Sequence, residues 1–224
     1  MTKENLQNNK VEKFISGVLE NKGRLIPIKY GYNILYVTGR RDSEPDRTIH
    51  SLTVLVADET IGIKPVGFAT FATNQNGCVT AKWTAISLTG MTGKNSTLRC
   101  SSLIKDQQAK RIILPLNDNV SFSVSGQDAP GIHGSMTPVA IEEEERGLGL
   151  GGFLLQISGH MAKKLGASEI VTPCGISDDI TEMYSTKGSL FVRALGSFKK
   201  CNHDGSWNLS LENIPTEYLE KFII

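Results

Sequence analysis

The run Arg146-Gly147-Leu148-Gly149-Leu150-Gly151-Gly152 is the part of the chain whose residue types and spacing best suit chemistry. It lies between Met136 to Ile141, which reads as a short strand, and Gly152 to Leu165, where Leu154, Ile157, Met161 and Leu165 recur at helical spacing. Glycines at a strand-to-helix junction let the backbone approach a ligand closely. The first N–H groups of the helix then face an anion, helped by the helix dipole. The chemistry implied is binding of a phosphate or pyrophosphate. A tight turn with no ligand is the competing reading, but four glycines in six residues exceed what a turn requires.

Several anion-binding classes share this logic. A P-loop would end in Gly-Lys-Ser/Thr, which is missing here. The dinucleotide spacing G-x-G-x-x-G is met by Gly147, Gly149 and Gly152. In that fold, however, the strand runs directly into the first glycine, whereas Glu142, Glu143, Glu144 and Glu145 intervene. The acidic ribose ligand should also end the next strand, and Glu169 begins it. A nucleotide-binding enzyme of this type stays as one alternative.

Val139-Ala140-Ile141, the glutamates, Arg146-Gly147-x-Gly149-x-Gly151 and then Leu154-Leu155 resemble motif A of the GNAT acyl-CoA N-acyltransferases. The resemblance is specific over residues 136–172 and extends more loosely over 177–212. It implies a mixed α/β (α+β) fold: a central, mostly antiparallel twisted sheet flanked by helices, with parallel strands splayed at a CoA cleft. It also implies one domain over residues 1–224, with an insertion or variable region at 77–136. Acetyl-CoA would be the acyl donor, with no metal. The backbone of Val139, Ala140 and Ile141 would pair with the pantetheine arm like an added strand. The loop Gly147, Leu148, Gly149, Leu150, Gly151 and Gly152 would hold the pyrophosphate, and Arg146 would add charge. Ser177 would replace a frequent Asn at the start of the next helix. The acetyl group would pass directly to an amine, carried by a small molecule or a protein. A non-catalytic module of the same fold, binding CoA or a protein partner, is the second alternative.

The transfer has requirements of its own. The attacking amine must be neutral, the leaving thiolate gains from a proton donor, and the thioester oxygen gains from a backbone donor. Glu142 is the carboxylate closest to the reacting end of the strand and is the candidate base. The family's acid is a tyrosine shortly before a glycine near the end of the next helix, and two registers compete. In one, Met183 to Gly188 carries the pattern, Tyr184 is the acid, and Leu190 to Leu195 becomes a strand. In the other, Phe191 to Gly196 carries it, and Val192 takes the tyrosine's place. The first keeps Gly188 out of a helix interior, where it would cost about 1 kcal/mol, and is preferred. His133, His160 and Cys174 read as a loop residue, a helix flank and an unpaired thiol.

The elements that must position these residues are legible in part. Residues 3–22 read as an amphipathic helix with Val11, Phe14, Ile15, Val18 and Leu19 on one face, stopped by Gly23. Residues 25–38 read as extended, and 39–48 as a polar loop. His50 to Asp58 and Pro65 to Thr73 read as a strand pair. Strand-like stretches follow at Val79 to Leu88 and Arg111 to Val124, with a short helix at Ser101 to Lys110. Ser168 to Thr172 reads as a strand, and Asn202-His203-Asp204-Gly205 as a hairpin turn before strand Trp207 to Leu211. Pro215 opens a terminal helix.

Composition bounds the rest. The 224 residues are 39% hydrophobic and 21% charged, with net charge +1. That supports a folded domain and lacks the basic excess of a nucleic-acid binder. No long apolar run suggests a membrane span. The four cysteines and four histidines are dispersed, as expected of free thiols in a reducing cytoplasm rather than of a zinc site. A homodimer is compatible with the family but has no signature here.

Overall fold

The computed structural model describes residues 3–41, 44–58, 62–74, 80–83, 97–99, 112–117, 120–125, 139–141, 143–171, 187–200 and 207–224. Helix α1 (Lys3–Glu20) leads into strands β1 (Leu25–Pro27), β2 (Tyr32–Arg41), β3 (Glu44–Asp58), β4 (Gly62–Asn74) and β5 (Thr80–Trp83). Next come β6 (Thr97–Arg99), β7 (Ile112–Asn117), β8 (Val120–Ser125) and β9 (Val139–Ile141). After these lie α2 (Leu150–Lys164), β10 (Glu169–Val171), α3 (Leu190–Leu195), β11 (Lys199–Lys200), β12 (Trp207–Ser210) and α4 (Glu217–Phe222). The fold is mixed α/β, with largely antiparallel sheets and helices. Among the described residues one nine-stranded sheet runs β1-β2-β3-β4-β5-β10-β12-β11, with β9 also on β4. A three-stranded sheet, β6-β8-β7, pairs only within itself.

Register fixes which residues meet. Tyr36 lies opposite Leu52, His50 opposite Phe71, and Leu52 opposite Ala69. Since side chains alternate along a strand, Ile34, Tyr36, His50, Leu52, Val54, Ala69 and Phe71 share one face. Their apolar members join Val11, Ile15 and Val18 of α1 and Phe153, Leu154 and Ile157 of α2 in one core. The opposite face is buried as well, at Leu35, Val37, Ser51, Thr53 and Leu55.

Several expectations need correction. The segment 39–48 is not simply a polar loop: β2 runs on to Arg41 and β3 starts at Glu44, with an irregular register at Arg40/Arg41. The ladder there is made by the backbone, whatever the polarity of the residues. Helix α2 starts at Leu150 rather than Gly152 and is buried nearly all round, not on a single stripe; Leu165, its C-cap, is 44% exposed. The sheet, α1, α3 and α4 all contact it.

The larger correction concerns Leu190 to Leu195, which is a helix and not a strand. Ser189 caps it, its side chain accepting from Val192 N at 3.2 Å, and Gly196 ends it at φ 103°. Gly188 sits in the turn ahead of that cap and interrupts no helix at its own position. The hairpin partner of β12 is instead the short β11, Lys200 opposite Trp207. The expected helix at Ser101 to Lys110 and the turn at 202–205 lie outside the described residues. No described helix is long and apolar enough to cross a membrane.

Candidate functional site

β9, the glycine loop and α2 form a strand–turn–helix unit. β9 pairs antiparallel with β4 through Gly67↔Ile141, Phe68↔Ala140 and Ala69↔Val139. Among the described residues no strand pairs with its other edge. A 3-10 turn, Glu143–Glu145, follows. The chain then turns through Gly147 (φ 82°) and Gly149 (φ 97°), left-handed conformations that a Cβ disfavours. Gly149 is the N-cap of α2.

The other two glycines serve packing. A Cβ on Gly151 would lie 2.8 Å from Leu190 Cδ2, and one on Gly152 would lie 2.6 Å from the Tyr218 ring. The glycine richness of the run therefore has a structural reason at each position and does not by itself require a ligand. What points toward an anion is narrower. The first intrahelical bond runs from Phe153 N to Gly149 O at 3.0 Å. The N–H groups of Leu150, Gly151 and Gly152 precede it, and a glycine N-cap offers them no side-chain acceptor. The direction a Gly147 side chain would take is open space.

Charge around the loop is organised both locally, by Arg146, and by residues far away in sequence. Lys221 donates through Nζ to Leu148 O, and Arg146 donates through Nε to Ile141 O at 3.2 Å. Both cations flank the start of α2. Of the acidic run, Glu145 is held by Tyr32, whose hydroxyl donates to Oε2 at 2.5 Å. Burial, and secondarily that bond and the carboxylate charge, pushes the Tyr32 hydroxyl up to about 12. Glu144 is exposed.

The C-terminal helix braces this arrangement. Gln156, fully buried on α2, accepts at Oε1 from Tyr218 N (2.9 Å) and Leu219 N (3.0 Å), filling the role of a cap for α4. Its Nε2 is buried without a hydrogen-bond partner. One turn on, His160 Nε2 lies 3.3 Å from Pro215 O, and Lys163 Nζ donates to Glu212 O at 2.7 Å. Burial lowers the affinity of His160 for a proton. Phe222 packs against Phe153, Tyr32 and Tyr30.

The structure thus brings Val139, Ala140, Ile141, Arg146 and Gly147 to Gly152 together at one end of α2. Glu142, Ser177, Tyr184, His133 and Cys174 lie outside the described residues. In the described helix α3, the place the second register gives the tyrosine belongs to Val192. The contributions of Tyr32, Gln156, Tyr218 and Lys221 were not foreseen. Each acts across more than 60 residues of chain, where local patterning carries no signal.

A second polar arrangement lies inside the sheet. His50 Nδ1 is 2.8 Å from the Tyr36 hydroxyl, and Nε2 is 2.8 Å from Thr73 Oγ1. Its ring stacks on Phe71 at 4.6 Å. Burial, with a smaller effect of the Lys22 charge, pulls His50 down to about 4. Among the described residues no group of His, Cys, Asp and Glu could hold a metal ion. No protein-family model, no curated protein and no solved structure matches this chain.

Proposed function

We propose that this chain binds acetyl-CoA and is an N-acyltransferase of GNAT type, transferring the acetyl group directly to an amine. One observation carries the reading: the edge of β9 that no described strand pairs leads, through two left-handed glycines, to the N-terminus of α2. An extended amide-bearing arm suits such an edge, and a pyrophosphate suits the helix start beside it. The connection supports the same reading. β10 lies parallel to β5, with Glu169, Ile170 and Val171 opposite Thr80, Ala81 and Lys82, and no described pairing joins it to β9. A cleft between separating parallel strands is the arrangement the family would need.

In this reading the N–H groups of Leu150 to Gly152 bind the phosphates, with Lys221 and Arg146 placing positive charge nearby. Tyr32 holds Glu145, the last carboxylate of the acidic run, in a hydrogen bond of its own. The backbone of Val139 to Ile141 aligns the arm. The amine nitrogen forms its bond to the acyl carbon as the carbon–sulfur bond breaks. Glu142 accepts the amine's proton, and Tyr184 returns a proton to the thiolate.

A second reading, a CoA-binding or interaction module without turnover, is favoured by α3. Its helical form puts Val192 where that register would need a tyrosine. Calorimetric titration with acetyl-CoA tests the shared part, with NAD as control and Gly149→Glu in parallel. Binding of acetyl-CoA and not NAD, abolished by Gly149→Glu, is expected. No binding sinks both readings, and binding of NAD instead selects the dinucleotide alternative. Amine-dependent release of free thiol, lost in Tyr184→Phe, separates enzyme from module.

A further inference from the structure

We infer that β5 and β9 are two halves of a single strand lying along β4, and that residues 84–138 are an insert entering and leaving through its break. Both strands pair with the same partner, in the same direction. Trp83, the last residue of β5, lies opposite Phe71; Val139, the first of β9, lies opposite Ala69. On β4 only Thr70 separates those two positions. At about 3.4 Å per residue the two chain ends are therefore about 7 Å apart, the span of one intervening residue. Phe71 and Ala69 are two positions apart on β4, so Trp83 and Val139 hold register positions of the same parity, as the ends of one uninterrupted strand would. The strands described within 84–138, β6, β7 and β8, pair only with one another.

The break has a functional position. β10 follows β5 as far as Lys82, and β9 begins beyond the break with an edge that no described strand pairs. Resting on the acyl-CoA reading, the phosphate end of the cleft is at Ile141 and α2. The acyl end is then at Val139, where the insert joins. The insert, not the cofactor-binding scaffold, sets the choice of acceptor.

The register makes the test sharp. Replacing 84–138 by one glycine should restore a continuous ladder on β4. Replacing it by two should turn every β9 side chain to the wrong face. An eight-residue Gly/Ser bridge serves as a version indifferent to register. Each protein is melted, titrated with acetyl-CoA, and assayed for thiol release with spermidine, an aminoglycoside and a lysine peptide. The one-residue and Gly/Ser joins should melt cooperatively and keep acetyl-CoA binding, and the two-residue join should melt lower. Acceptor turnover should fall by about tenfold or more in the joined proteins. Failure of both the one-residue and the Gly/Ser joins to fold overturns the split strand, as does a two-residue join as stable as the one-residue join. No difference from the full chain on any probe overturns the acceptor role. If the full chain itself does not bind acetyl-CoA, the acyl-CoA reading falls with the acceptor role, while the melting comparison still decides the strand.

Discussion

Acidification should destabilise this protein through His50 at a pH where most carboxylates are still ionised. The ring is 3% exposed, bracketed by the Tyr36 hydroxyl and Thr73 Oγ1, and stacked on Phe71. Burial holds its affinity for a proton down at about 4, against 6.5 for the ordinary side chain. The unfolded chain therefore binds a proton at this residue before the folded one does. The stability that a neutral His50 contributes is whole above about pH 6.5 and is lost as the pH falls from there toward 4. With these two values the loss is about 1.4 kcal/mol at pH 5.5 and about 2.6 kcal/mol at pH 4.5. Against a typical total of about 5–15 kcal/mol, that is a substantial fraction. The assay is urea unfolding of the native chain and of His50→Gln at pH 7.5, 5.5 and 4.5. His160 is displaced in the same direction, and acts equally in both proteins. The native chain should lose stability more steeply than His50→Gln, by the amounts above. Parallel pH profiles for the two proteins would refute the assignment, and so would a His50 imidazole titrating near 6.5 by nuclear magnetic resonance.

Three further outcomes follow from the packing of α2. Gly152→Ala forces the Tyr218 ring aside and should cost about 1–3 kcal/mol; in a Tyr218→Ala background the same change should be milder, as a double-mutant cycle would show. Gly149→Ala keeps its surroundings but must hold a side chain at φ 97°, so a loss of about 1–2 kcal/mol is expected in thermal melts. Gln156→Leu strands the N–H groups of Tyr218 and Leu219, at a cost of about 1–3 kcal/mol by urea unfolding. Hydrogen exchange should show the loss first in α4.

Elements whose reason is local could be read from the chain. Helix α1 shows its buried face in the spacing of Val11, Ile15 and Val18, and Gly23 follows at φ 78°. The β3–β4 pair declares itself through alternation at Leu52, Val54 and Val56. Helix α3 had local signals too: Ser189 is a capping residue and Gly196 a left-handed stop. Against them stood the cost of placing Gly188 in a helix interior. The turn at Gly188 removes that conflict. The extent of β2 and β3 was hidden because ribbon pairing asks nothing of side-chain polarity.

The site divides along the same line. A strand, a glycine turn and a helix start are contiguous in sequence, so the placement of Val139 to Gly152 could be anticipated. The purpose of each glycine could not. Gly151 and Gly152 owe their identity to Leu190 and Tyr218, which lie about 40 and 66 residues away in the chain. A count of glycines therefore overstates the case for a ligand, because close packing and close approach to a phosphate demand the same residue. What remains after packing is removed is Gly147 and Gly149, an uncapped helix start, and two cations, Arg146 of the loop itself and Lys221 of the C-terminal helix. Since Lys221 holds the carbonyl of Leu148, Lys221→Met removes a charge and a restraint at once. Lys221→Arg keeps the charge while changing the geometry. If the loop exists to hold an anion, acetyl-CoA affinity should fall with Lys221→Met and much less with Lys221→Arg, and the native affinity should weaken with salt. Equal losses in both would assign Lys221 to bracing the loop, and unchanged affinity in both would remove it from the site.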